Sequence, residues 1–193
     1  MKRRNNVALA TMHDLMTAEL RDLYSAEMQM LVALPAMAAG AGSPALRDAF
    51  RSHLDDTHEH VSRLEEIFGV LDISTRGAHC PGVAVLLWDA KVAMSQQGDA
   101  LVRDAGLIVA AQRIEHYEIV SYRTSLALAS LLALKDVAVF LETTLKEEEA
   151  FDAQLSGIGT GILQSAAALP TEPAVGSSRW KFLRRRENAI SSV

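Results

Sequence analysis

Apolar residues recur every three to four positions in four long stretches of this chain, the period of a helix with one buried face. The first stretch runs from about Met12 to Ala39, with the stripe Met16, Leu20, Leu23, Glu27, Met30, Leu31 and Leu34. Pro35 falls in its last turn, and Gly40 and Gly42 end it. Ser43-Pro44 then reads as a helix start, with serine at the N-cap and proline at the first helical position. The second stretch carries Phe50, Leu54, Thr57, Val61, Leu64 and Phe68 and stops at Gly69. After an aperiodic connection, 69–81, a shorter helix is predicted from Gly82 to Gln97, and Gly98-Asp99 opens a long helix to about Ala133. Its stripe is Leu101, Ile108, Glu115, Ile119, Tyr122 and Leu126. The last helix follows Val137, Leu141, Thr144, Leu145, Glu148, Asp152 and Leu155.

These elements predict an all-α fold of two antiparallel hairpins forming a four-helix bundle, with a short fifth helix as the crossover. The predicted organisation is a flexible lead over 1–11, the bundle over 12–157 and an irregular tail over 158–193 with a basic end, 179-RWKFLRRR-186. The tail reads as partly disordered, and as solubilising or subunit-packing rather than as a ligand for an acidic partner.

The stripes contain acids where apolar residues belong. Glu27, Glu115 and Glu148 sit at the centres of their faces, with Glu118 and Asp152 one turn along. Residues that face each other across a hairpin sum to twice the midpoint of its turn. That rule sets Glu27 level with Asp56 and near His53, Glu118 level with Glu148, and Glu115 level with Asp152. Unpaired carboxylates in a low-dielectric core repel one another and resist ionisation. Because the stripes carry no Lys or Arg near the cluster, divalent cations are the expected partners. Oxygen-rich donors with one or two histidines suit iron or manganese, and clustered carboxylates suit two ions. The competing interpretation is a metal-free bundle whose acids share protons or water.

Composition narrows this further. Apolar residues make up 49% and aromatics 5% of 193 residues, a balance that favours helices over sheet. A net charge of −5 argues against nucleic-acid binding by the main body. One cysteine, Cys80, offers no disulfide framework, and the absence of an 18-residue apolar run or a clear signal peptide predicts a cytoplasmic protein with no membrane role.

The strings 20-LRDLYSAEMQ-29, 53-HLDDTHEHVSRLE-65, 103-RDAGLIVAAQRIEHYEIVSY-122 and 145-LKEEEAFD-152 resemble, in order, the YciE/YciF family of bacterial ferritin-like proteins. The resemblance spans about 13–157 and includes Cys80. It implies a ferritin-like bundle, a homodimer and a place in bacterial stress responses. It also implies a di-iron or di-manganese site with one carboxylate on each of two helices and a carboxylate–histidine pair on each of the others. The family positions fall on Glu27, His53, Asp56, Glu115, Glu118, Glu148 and Asp152. Asp56 stands in place of the more usual glutamate, and His53 precedes its acid by three instead of following it. Ala84-Val85 stands where the family tends to have Glu-Gly.

His53 is read either as a ligand or as a helix histidine bonded to a carboxylate, while His58 and His60 are read as surface or supporting residues. His116 points away from the Glu115 face, and Tyr122 faces inward. Two functions follow as expectations. One is a dimetal protein that handles dioxygen or peroxide, with Glu115 and Glu148 bridging or chelating and Glu27 and Asp152 terminal. The other is a non-catalytic stress protein that acts through assembly.

Overall fold

Thr11 and Asp14 start the first helix with a reciprocal cap: the Asp14 N–H donates to Thr11 Oγ1 at 3.1 Å, and the Thr11 N–H to Asp14 Oδ2 at 2.8 Å. From there the computed structural model, which describes residues 9–77, 79–167 and 169, is built of helices, with no strand among the described residues. They are α1 (Met12–Gly40), α2 (Pro44–Val70), α3 (Pro81–Ser95), α4 (Ala100–Leu131) and α5 (Lys135–Ala166). The hairpins α1–α2 and α4–α5 pack within themselves and then against each other, α2 on α5 and α1 on α4. The crossover helix α3 lies against α4 and α1.

Ser43 occupies the N-cap of α2, but its side chain makes no capping bond. The buried Asp104 of α4 does the capping from across the bundle. Its carboxylate accepts the Gly42 N–H at 2.8 Å and the Ser43 N–H at 2.6 Å. Two helix ends carry a non-glycine residue in the left-handed region, Asp72 after α2 (φ 51°) and Ala133 after α4 (φ 57°). Each is followed by a backbone bond to the residue five before it, Ile73 to Phe68 at 3.1 Å and Leu134 to Ala129 at 2.9 Å.

The expected end of the bundle at residue 157 is corrected. The last helix continues to Ala166 through Gly157, Gly159 and Gly161. Glycine disfavours a helix, but Leu155, Ile158 and Ile162 keep one face packed in the core, and that packing outweighs local propensity. The N-terminal 1–8 and the basic cluster 179–186 lie outside the described residues. No helix among the described residues is long and apolar enough to cross a membrane.

Most of the core falls into two apolar slabs. One contains Met30, Leu34, Phe50, Leu107, Ile114, Phe151 and Leu155. The other contains Leu20, Leu23, Leu64, Ile119, Tyr122, Val137 and Leu141. Between the residues each helix gives to the two slabs lie Glu27 on α1, His53 to His60 on α2, Glu115 and Glu118 on α4 and Glu148 on α5.

Candidate metal centre

The face of α2 toward this layer is Leu46, Phe50, His53, Thr57, His60, Leu64 and Ile67, all buried. Spacings of three and four keep those residues on one stripe, so two turns bring both histidines inward with Thr57 between them. The Thr57 hydroxyl is used locally, donating to the backbone carbonyl of His53 at 2.7 Å. Glu27, Glu115, Glu118 and Glu148 join them with 1% exposure or less, far below what lone carboxylates tolerate.

Two groups of three ligand atoms result, each with all its atoms within 4.8 Å of one another. One is Glu27, His60 and Glu148; the other is His53, Glu115 and Glu148. Glu148 belongs to both. In the first group, His60 Nδ1 stands 3.1 Å from Glu148 Oε1 and 3.4 Å from Glu27 Oε1. In the second, His53 Nε2 stands 3.7 Å from both Glu115 Oε2 and Glu148 Oε2.

The electrostatics are those of a layer short of positive charge. Burial, then repulsion from Glu148 and Glu118, holds Glu115 well above the usual carboxylate range. Glu118 is raised by burial and then by Glu27 and Glu148. Burial lowers His53 to about 3. It also works against charge on His60, but the Glu27 and Glu148 carboxylates outweigh it and push that group to about 11.

Both oxygens of Glu115, Glu118 and Glu148 are buried without a hydrogen-bond partner, as are His53 Nδ1 and His60 Nδ1. A native core rarely leaves so many polar atoms unsatisfied in one place. Divalent metal fits them: the donors are carboxylate oxygen and imidazole nitrogen, the set that suits iron or manganese. Tyr122 closes one side, its hydroxyl donating to Glu27 Oε1 at 2.5 Å and its ring edge-on to His60. Burial and the neighbouring Glu27 keep that phenol well above its ordinary value. Phe151 closes the other, stacked on His53 with centroids 3.8 Å apart.

Of the sequence-predicted residues, Glu27, His53, Glu115, Glu118 and Glu148 come together in this layer, and two do not. Asp56 is on the exposed side of α2, one residue and so about 100° round from Thr57. Asp152 lies at the bundle's rim, where Gln112 Nε2 donates to it at 3.0 Å and His116 Nε2 approaches to 3.3 Å. The hairpin rule placed Asp152 at the right height, beside residues 112 and 116, but on the wrong side of the helix. The expected carboxylate–histidine pair on each of two helices is also absent among the described residues. Both histidines come from α2, and α4 supplies two carboxylates.

His60, expected at the surface or in a supporting role, is instead fully buried and faces the layer. The signal for it was the run Leu46, Phe50, His53, Thr57, His60, Leu64 and Ile67, which rotates the stripe away from the half-buried Leu54 and Val61. Cys80, at the start of α3, is buried against Ala26 and Val83. Its thiol donates to Asp22 Oδ2 at 3.3 Å and lies 3.1 Å from the Tyr117 hydroxyl. Burial raises its pKa above the usual thiol value. Gly82 permits this arrangement, because a Cβ there would stand 2.7 Å from the Tyr117 ring.

Known proteins carry the same frame. YciF of Escherichia coli (strain K12) is 34% identical over 160 residues, which are 82% of this chain and 96% of YciF. The crystal structure of that E. coli stress protein matches with a TM-score of 0.78 at 33% identity, covering 80% of this chain and 98% of that one. YcfI from Rhodopseudomonas palustris matches at 0.75 and 36% identity, covering 79% and 98%. A Xanthomonas campestris protein, 19% identical over 80% of this chain and 95% of its own, shares the fold at a TM-score of 0.64. The family described as a domain of unknown function, DUF892, matches residues 11–168. The helical bundle, the match along most of its length and the relatives agree, and the chain belongs to the DUF892 family of YciF-like proteins.

Proposed function

We propose that this protein holds two divalent metal ions, iron or manganese, in the layer between its apolar slabs and handles dioxygen or peroxide there. The observation that carries the reading is Glu148, a member of both three-residue groups, with neither of its two buried oxygens satisfied by a hydrogen bond. Charge supports it as well. Four ionised glutamates carry −4, which two divalent ions balance, so the filled layer is neutral in a core where net charge is expensive.

When bound, such a pair supplies the electrons for reducing dioxygen or peroxide. The chain's own residues do the rest. Glu148 draws the two groups together, and Glu27 is oriented by the Tyr122 hydroxyl. Tyr122 keeps a proton beside the layer, and the two slabs with Phe151 keep bulk water out. The description of the E. coli relative as a stress protein supports placing this activity in the response to stress. A homodimer in the cytoplasm belongs to the same proposal.

Metal analysis of protein purified without chelator tests it. About two ions per chain are expected. Glu148→Ala is expected to remove both, whereas Asp56→Ala and Asp152→Ala leave the content unchanged. Less than about one ion per chain would overturn the reading in favour of a structural role. Peroxide or oxygen consumption by the iron-loaded chain then tests the chemistry.

A further inference from the structure

The two histidines are supported differently. Behind His60, its second nitrogen Nε2 lies 3.1 Å from Glu147 Oε2. Arg63 grips both oxygens of Glu147, Nη2 to Oε1 at 3.0 Å and Nη1 to Oε2, and also donates to Thr144 Oγ1 at 3.2 Å. Glu147 is therefore fixed in place. It holds the proton on Nε2, so that a metal ion displacing the Nδ1 proton would meet a lone pair already aimed toward Glu27 and Glu148. Glu27, the carboxylate opposite, is itself oriented by Tyr122.

His53 has no such support. Its outer nitrogen, Nδ1, is buried without a partner, and its ring is held by stacking on Phe151. The nearby Thr57 hydroxyl is already committed to the backbone. With Nε2 toward Glu115 and Glu148, His53 must carry its proton on Nδ1 where no acceptor stands.

Resting on the dimetal reading, we propose that the two metal positions are unequal. Glu147, fixed by Arg63, is a positioning residue that makes the Glu27–His60–Glu148 position the tight one, filled first. The His53–Glu115–Glu148 position fills second and exchanges more readily. A carboxylate behind a ligating histidine orients the ring and raises its basicity, and loss of such a partner weakens metal binding by about 10–100-fold.

The test is a titration of the chelator-stripped full-length chain with Mn(II), followed by electron paramagnetic resonance. Free ion gives one signal, a single bound ion another, and a spin-coupled pair a third. The wild type is expected to show the single-ion signal up to one equivalent, and the coupled signal only beyond it. Glu147→Gln keeps the side chain's shape at a half-exposed position, and is expected to weaken the first equivalent by about 10–100-fold. His53→Ala is expected to abolish the second equivalent and leave the first within about threefold of the wild type. Circular dichroism confirms that each variant is folded.

Coupled signal from the first addition, with Glu147→Gln binding like the wild type, would overturn the inequality and leave the dimetal reading intact. No bound Mn(II) in the wild type would overturn both.

Discussion

The polar layer and the slabs that enclose it are made by the same four helices, yet they act on stability in opposite directions. In the slabs every helix turn adds a buried Leu, Ile, Met or Phe, and each such side chain favours folding by about 1.5–3 kcal/mol. In the layer the same positions carry glutamates and histidines, and both oxygens of Glu115, Glu118 and Glu148 lack hydrogen-bond partners. Folding must bring those groups out of water, and in the metal-free chain the pairing of His60 with Glu27 and Glu148 offsets only part of that cost. The burial that favours folding is concentrated at the two ends of the bundle, on either side of the polar layer.

That contrast can be broken at several points. The largest effect is expected in a slab. Phe50→Ala, which empties a fully buried site, should destabilise the chain by about 3–5 kcal/mol in denaturant unfolding. The folded fraction should keep its metal stoichiometry. Loading the layer comes next: metal at about 1,000 times its dissociation constant should stabilise by about 4 kcal/mol, read as a rise in Tm. An unchanged Tm would mean the layer is satisfied without it.

Glu118→Leu sharpens the comparison from the other side, because it extends slab chemistry into the layer. The metal-free variant should gain about 1–3 kcal/mol as an unsatisfied carboxylate disappears, while metal retention falls.

A pH-dependent effect, comparable in size, follows from the raised groups. His60, held up to about 11 by Glu27 and Glu148, contributes stability that is full below about 6.5 and lost as pH rises through 11. Glu115 and Glu118, raised by burial, likewise keep their protons longer in the folded chain. His53, lowered to about 3, acts in the opposite sense but only below about 6.5. Between pH 7 and 9 the folded metal-free chain therefore binds more protons than the unfolded one. Its stability should fall by about 1.4 kcal/mol per pH unit for each excess proton. Thermal melts of chelator-treated protein across that range check this, and a rising profile would contradict it.

The smallest effect lies outside both regions. Ala133→Gly should add about 1 kcal/mol by relieving a left-handed backbone at the end of α4, with metal content unchanged.

Much of this arrangement was legible in the sequence, because its cause is periodic. Glu27, Glu115 and Glu148 could be placed inward since leucine and isoleucine one turn away fix the face. The second helix was harder. Its stripe is ambiguous by one residue, since Leu54 and Val61 compete with His53 and His60 for the inward side, and the difference is a rotation of about 100°. That rotation decides between Asp56 and Thr57, and between a surface His60 and a buried one. The continuation of α5 past Gly157 could not be read from propensity, because the packing of Ile158 and Ile162 that sustains it is a tertiary effect. Neither could the pairing of Glu147 with Arg63 and His60, which joins residues 84 and 87 positions apart.

Asp104 holds the backbone of Gly42 and Ser43, and so joins the beginnings of α2 and α4. From that joint the two helices run in the same direction. His53 lies eleven residues beyond Gly42, and Glu115 lies eleven residues beyond Asp104 (53 − 42 = 115 − 104). The same count of eighteen brings His60 abreast of Tyr122 (60 − 42 = 122 − 104). At about 1.5 Å per residue, the joint stands about 16 Å from His53 and Glu115, the nearer pair of the polar layer. It works as a common zero mark for two rulers: a carboxylate that touches none of the layer's glutamates and histidines sets the height at which they meet.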